Sequence, residues 1–374
     1  LILLAFLLSA TIMETSIAGL PQQDASKYAV KTTHYEIKEA IENFDYTAIQ
    51  SHVKIFSSFG SRVTGYAGNL KSAEYISNEF KRYGLNVTVQ NYTIPIPIDS
   101  GSWVEITSPV SKKIKAYSLW PNGVQACTTP SEGISGRLIY VGDGELSRIN
   151  GYDIEDCIAL IDFNSGMNWV NLADLGFKAF IFIEPSEASS FEALKKAVPT
   201  PINFPRVYVN RKDGSVLKSI AANNGVVTVH NEIRWENREV FNIIGVVEGR
   251  NPSEVIVVSA RYDSWSIVPS ISPGAEDALS ISSLLELARY FAEPSNKPLR
   301  TLWFVALSGH YQGLHGPYEW AEKNLFSDEV QQGKIRILLQ IDLDFSTETN
   351  GLDALYTGPP VFFGDQSQFS GRYY

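Results

Sequence analysis

Val257-Val258-Ser259-Ala260-Arg261-Tyr262-Asp263-Ser264-Trp265 carries an apolar run straight into a charged and aromatic turn. A short, continuously apolar run bounded by polar residues reads as a strand buried on both faces. Two further segments repeat the arrangement. Pro273-Gly274-Ala275-Glu276-Asp277 opens a helical pattern that runs to Phe291. Ser308-Gly309-His310-Tyr311-Gln312-Gly313-Leu314-His315-Gly316 follows the apolar run Thr301 to Leu307. Each segment lies where a buried element gives way to a polar turn, the position from which scaffolds of this kind display reactive side chains.

Working outward, Val240 to Val247, Glu254 to Ala260, Thr301 to Leu307 and Ile335 to Leu343 read as strands alternating with helical stretches. That alternation predicts an α/β layer fold on a largely parallel sheet. Residues 28–97 contribute an N-terminal part, helical from about Tyr35 to a stop at Gly84 and then strand-like from Leu85 to Ile96. Between 98 and 235 the texture changes to short β-rich runs broken by Gly, Pro and Ser, which predicts an inserted domain. Residues 236–374 return to the first pattern, and the domain is expected to continue beyond Tyr374.

The 374 residues are 44% hydrophobic and 19% charged, which predicts large packed cores. A formal net charge of -10 without a run of Lys or Arg argues against a nucleic-acid partner. Leu1 to Met13 is almost wholly apolar, too short for a comfortable bilayer crossing and of the length of a signal-peptide core. With Ser16-Ile17-Ala18 after it, residues 1–18 are expected to be an export leader, or a truncated anchor attaching the chain to the outer side of a membrane. Asn86-Val87-Thr88 and Asn91-Tyr92-Thr93 are glycosylation sequons, consistent with a secreted or extracytoplasmic chain. Cys127 and Cys157 allow one disulfide or two buried thiols. His34, His52 and His230 are isolated, and no Gly-x-Ser-x-Gly turn or phosphate loop occurs.

The three segments, in order and spacing, resemble the glutamate carboxypeptidase and aminopeptidase Y family of di-zinc exopeptidases, metallopeptidase family twenty-eight, from about Ile49 to the end. The resemblance implies a three-layer α/β/α sandwich with a mostly parallel sheet. It also implies that the insert, through Gly136 to Gly142 and Cys157 to Asp162, is similar to a protease-associated domain. It implies zinc, held by retained carboxylates at Asp277 and Asp342, with Asp344 the second register for the latter. The first ligand position, a His in the family, is Arg261 here, followed by the expected Asp263 as a supporting group. The general-base and ligand glutamates correspond to His310 and Tyr311.

A guanidinium has no lone pair to give a metal and stays charged. At about 4 Å and an effective dielectric of about 20, it opposes a dication by on the order of 8 kcal/mol before relaxation. Arg261 is therefore expected to exclude a zinc and to pair instead with Asp263 and Asp277. Two readings follow. In one, the chain is a pseudopeptidase with partial or no zinc that binds a peptide or protein partner, as fold relatives in receptor-like and scaffolding roles do. In the other, it is an active exopeptidase with a variant site, a single zinc on His310, Asp277 and Asp342, with His310 as the candidate base.

Overall fold

The computed structural model describes Glu42 and residues 44–345, together with strands Ala354–Tyr356 and Gly371–Tyr373. The expected leader, residues 28–41 and His34 lie outside the described residues. Helix α1 (Tyr46–Ser58) starts at Asp45, whose carboxylate accepts from the amides of Thr47 at 2.9 Å and Ala48 at 3.1 Å. Helix α2 (Ala67–Arg82) ends where Gly84 takes a left-handed φ of +85° and the Leu85 amide reaches back to the Phe80 carbonyl, a stop that only glycine adopts cheaply.

Strand β1 (Asn86–Asp99) then leads into the insert, which contains β2 (Trp103–Ser108), β3 (Lys112–Lys115), β4 (Tyr117–Ser118), β5 (Ile134–Tyr140), β6 (Ile158–Asp162), α3 (Asn168–Asp174), β7 (Ala179–Ile183), α4 (Ser190–Leu194), β8 (Arg206–Val209), α5 (Arg211–Ala222) and β9 (Val226–His230). These strands form one eight-stranded sheet in the order β3-β2-β9-β5-β6-β7-β8-β4. The pairs β5–β6, β6–β7 and β7–β8 are parallel, and the helices cover them. The chain returns along β10 (Ile233–Val247), antiparallel to β1 from Asp99 opposite Ile233 to Asn86 opposite Val246. Both sequon asparagines stand exposed on β1, an edge strand.

Beyond β10 come β11 (Asn251–Arg261), α6 (Ala278–Ala292), β12 (Arg300–Leu307), α7 (His315–Asn324), α8 (Asp328–Gln331) and β13 (Arg336–Leu343); the strands 354–356 and 371–373 are β14 and β15. The main sheet runs β1-β10-β12-β11-β13. Helices α1, α2 and α6 cover one face, where Phe56, Ile76, Phe80 and Leu284 meet Ile256, Val258 and Phe304. Trp320 of α7 packs on Val255, Val257 and Val305 of the other face. The three layers are as expected, but the sheet is mixed. β11 pairs in parallel with β12 and β13, whereas β10 pairs antiparallel with both β1 and β12. The insert accounts for the β1–β10 pair: a chain that leaves along β1 and returns beside it makes an antiparallel ribbon.

The cysteines do not form a disulfide. Cys127 is a buried free thiol 3.3 Å from the Ile202 carbonyl, and Cys157 is another, 3.5 Å from the Asp153 carbonyl. Each is held at its own loop by backbone acceptors. Among the described residues no helix is long and apolar enough to cross a membrane.

Phe80 is fully buried between α2 and the sheet. Phe80→Ala is expected to lower the unfolding free energy by about 3–5 kcal/mol in denaturant titration; a loss below about 1 kcal/mol would contradict the packing described.

Candidate functional site

Because β12, β11 and β13 are parallel neighbours, their C-terminal ends lie side by side and the loops after them converge. In the β11–β13 ladder Ser259 is opposite Asp342 and Ala260 opposite Leu343, so Arg261 comes beside Asp344. Arg261 Nη1 bonds the Asp344 carboxylate, and its Nη2 stands 3.3 Å from Asp277 Oδ1. The Tyr311 hydroxyl donates to the same Asp277 oxygen at 2.9 Å, and the guanidinium lies 5.6 Å from the Tyr311 ring centre. One cation thus ties together the ends of β11 and β13 and the start of α6. Asp277 stands at the N-cap of α6 without bonding the helix amides, its carboxylate being turned to Arg261 and Tyr311.

Asp263 does not pair with Arg261, contrary to expectation. It is fully buried, and its Oδ2 accepts from the Thr64 hydroxyl at 2.8 Å and from the His310 amide at 2.9 Å. Thr64 in turn accepts from the Gly309 amide at 3.1 Å, and Asn69 donates to Ser308 Oγ at 3.0 Å. The α1–α2 loop therefore fastens the 308–311 turn through Asp263. That turn is compact because Gly309 has a φ of +70° and because a Cβ on Gly316 would lie 1.8 Å from the Ser308 carbonyl oxygen. Asp263 is tied to this turn at a depth that Arg261, reaching out toward Asp344, does not enter.

Asp342 accepts from Ser259 Oγ at 2.7 Å. The carboxylate that meets the guanidinium is Asp344, the register given less weight from sequence. His310 is in the cluster through its backbone, with its ring edge-on to Tyr311 at 5.1 Å. His315 lies on α7, 3.8 Å from Glu319. Glu276 precedes the Asp277 cap.

Arg62 escaped the sequence reading. It is fully buried, and its guanidinium donates to the main-chain carbonyls of Pro273 at 2.8 Å, Tyr262 and Gly274, stacking on Phe56. The only hint is an arginine in the glycine-rich run Ser61-Arg62-Val63-Thr64-Gly65. Its three acceptors lie about two hundred residues further along the chain.

Burial sets the electrostatics. It lowers Arg62 to about 10. It raises Asp263, against the Thr64 hydrogen bond, and raises Asp342, against the bond from Ser259. Burial also raises the Tyr311 phenol, helped by the negative charge of Asp277. At Arg261 burial opposes the charge, but Tyr311, Asp344 and Asp277 together outweigh it and hold the guanidinium charged. Among the described residues no three His, Cys, Asp or Glu side chains converge in a way that could hold a metal ion.

The three-layer fold is shared with solved zinc aminopeptidases. A solved zinc aminopeptidase from Bacillus subtilis, BSAP, superposes with a TM-score of 0.54 at 23% identity, over 80% of this chain and 69% of that one. Residues 242–359 match Peptidase family M28. The chain is homologous to aminopeptidase YwaD of Bacillus subtilis (strain 168), 26% identical over 77% of this chain and 60% of YwaD's length. The glutamate carboxypeptidase 2 homolog of Caenorhabditis elegans is 29% identical over 32% of this chain and 14% of its own. The chain thus spans less than two thirds of the length of these relatives.

A carboxyl whose folded pKa is raised holds its proton more tightly when folded, so stability falls as pH rises above the unfolded value of about 3.8. Unfolding free energy is therefore expected to drop from pH 4 upward more steeply in the parent than in Asp263→Asn. Parallel pH curves from denaturant melts of the two proteins would remove Asp263 from this account.

Proposed function

We propose that this chain is an exported pseudopeptidase, a zinc-exopeptidase scaffold that binds a peptide or protein partner instead of hydrolysing it. The observation that carries the reading is the Arg261 guanidinium joined to Asp277 and Asp344, with Tyr311 on the same Asp277 oxygen. A pair of zinc ions does not fit these residues. The carboxylate retained for bridging already balances an internal cation, the first ligand position offers no lone pair, and a phenol held protonated by burial is a poor donor. Taking Arg261 out of its ion pairs to admit a dication would leave a half-buried charge without compensation.

Only the scaffold is carried over from the aminopeptidases and glutamate carboxypeptidases to which the chain is similar. The reading of the 98–235 insert as a protease-associated domain rests on its separate sheet, and export on the apolar N-terminus and two exposed sequons. The competing reading, an exopeptidase with one variant zinc, draws on Asp342, whose carboxylate meets no cation among the described residues.

Elemental analysis after dialysis from zinc separates the two. The parent is expected to retain no zinc, while Arg261→His, which removes the cation and restores a nitrogen ligand beside Asp277 and Asp344, is expected to gain about one zinc per chain. Retention of stoichiometric zinc by the parent, with hydrolysis of leucine amide, would overturn the proposal.

A further inference from the structure

A cavity of about 500 Å³ opens between the insert and the main sheet, beside the Arg261 cluster. Trp120 and Trp235 from the insert's borders form one wall, Pro95 of β1 another, and Tyr311, Gln312 and His315 the third. The volume lies in the range of ligand sites, and its lining is mainly apolar with a few polar groups. Trp120 also lines a second cavity of about 270 Å³ together with Trp265. Ring centres run from Trp120 to Trp265 at 6.4 Å and on to Tyr311 at 6.5 Å, so an aromatic wall links the outer cavity to the cluster.

Two observations specify the chemistry. First, the carboxamide oxygen and nitrogen of Gln312 are both shut away from solvent with no hydrogen-bond partner among the described residues. A buried amide left in this state is costly, by roughly 1–3 kcal/mol per unsatisfied group. Rotation of the Gln312 side chain into the cavity it lines would exchange that state for one accepted and one donated hydrogen bond. Those are the bonds that a ligand amide offers. Second, Arg261 of the adjoining cluster is already engaged by Asp277 and Asp344, and none of the described residues lining the cavity is an acid, lysine or arginine.

We infer that this cavity binds the interior of a polypeptide, one main-chain amide engaging Gln312 and one apolar side chain lying between Trp120 and Trp235. A chain terminus, which brings a full charge, finds no acid, lysine or arginine among the described residues of the cavity wall. The inference deepens the pseudopeptidase reading and rests on it for the word partner, since interior segments are what a chain without exopeptidase chemistry can hold.

The probe is N-acetylphenylalanine amide, with free phenylalanine as the charged comparison carrying the same ring, titrated into the full chain by calorimetry. The neutral probe is expected to bind at least about tenfold more tightly than the zwitterion, and Gln312→Ala is expected to weaken it about tenfold, the effect of one amide hydrogen-bond pair. Trp235→Ala alters a side chain that is 39% exposed, so it tests the aromatic wall with little risk to folding. It is expected to weaken the neutral probe, whose ring lies against Trp235. Equal binding by parent and both variants, preference for the zwitterion, or no heat at millimolar probe would overturn the inference. Zinc content reports separately: a zinc-loaded parent that still prefers the neutral probe through Gln312 would end the pseudopeptidase reading and leave the cavity assignment standing.

Discussion

Two parallel ladders on either side of β11 govern this molecule. They hold it inside the sheet whose two faces α1, α2, α6 and α7 cover, and because parallel strands end at the same edge, they bring the loops after β11, β12 and β13 to one place. A strand packed this way cannot shift by one residue without turning every side chain to the wrong face. The positions of Arg261, Asp263 and Asp344 follow from that register. The loops carry the chemistry, and the ladders decide where it stands.

At that edge the chain has to manage a concentration of acidic groups at low dielectric. Asp263 is buried and Asp277 half-buried, with Asp342 and Asp344 at the rim. In a metal enzyme a cation from solution balances such a set. Here the balance comes from the chain itself: Arg261 bridges two carboxylates, Arg62 lies beneath the turn that presents Asp277, and hydroxyls of Thr64, Ser259 and Tyr311 serve the rest. An internal guanidinium differs from a metal in being directional and permanently attached, so it fixes loop ends together.

Much of the architecture was legible in the sequence. The apolar runs ending at Ala260, Leu307 and Leu343 became β11, β12 and β13, and the pattern from Ala275 to Phe291 became α6 within a few residues. Texture alone marked the insert. Partner choice was not legible, because it depends on register: the β11–β13 ladder shifts between Val255 and Ile256, and only after that shift does Asp344 come to Arg261. Asp263 was assigned to its near neighbour in sequence, while its partners came from the distant Thr64 and from a main-chain amide at His310. Arg62 was invisible for the same reason, since main-chain carbonyls leave no trace in composition. The antiparallel β1–β10 pair, too, follows from where the insert leaves the chain.

The β1–β10 ribbon opens and closes the insert at one point, with Asp99 directly across from Ile233. Entry and exit of the eight-stranded unit are therefore as close as two strands can be, and the ladder beneath them is complete without it. To the main sheet, the insert is formally a hairpin loop of more than a hundred residues, and closing a loop grows costlier only with the logarithm of its length. A scaffold built like this can exchange, enlarge or lose the unit above its site while its own strand order stays unchanged. Variation can thus accumulate in the insert without disturbing the layers that carry Arg261.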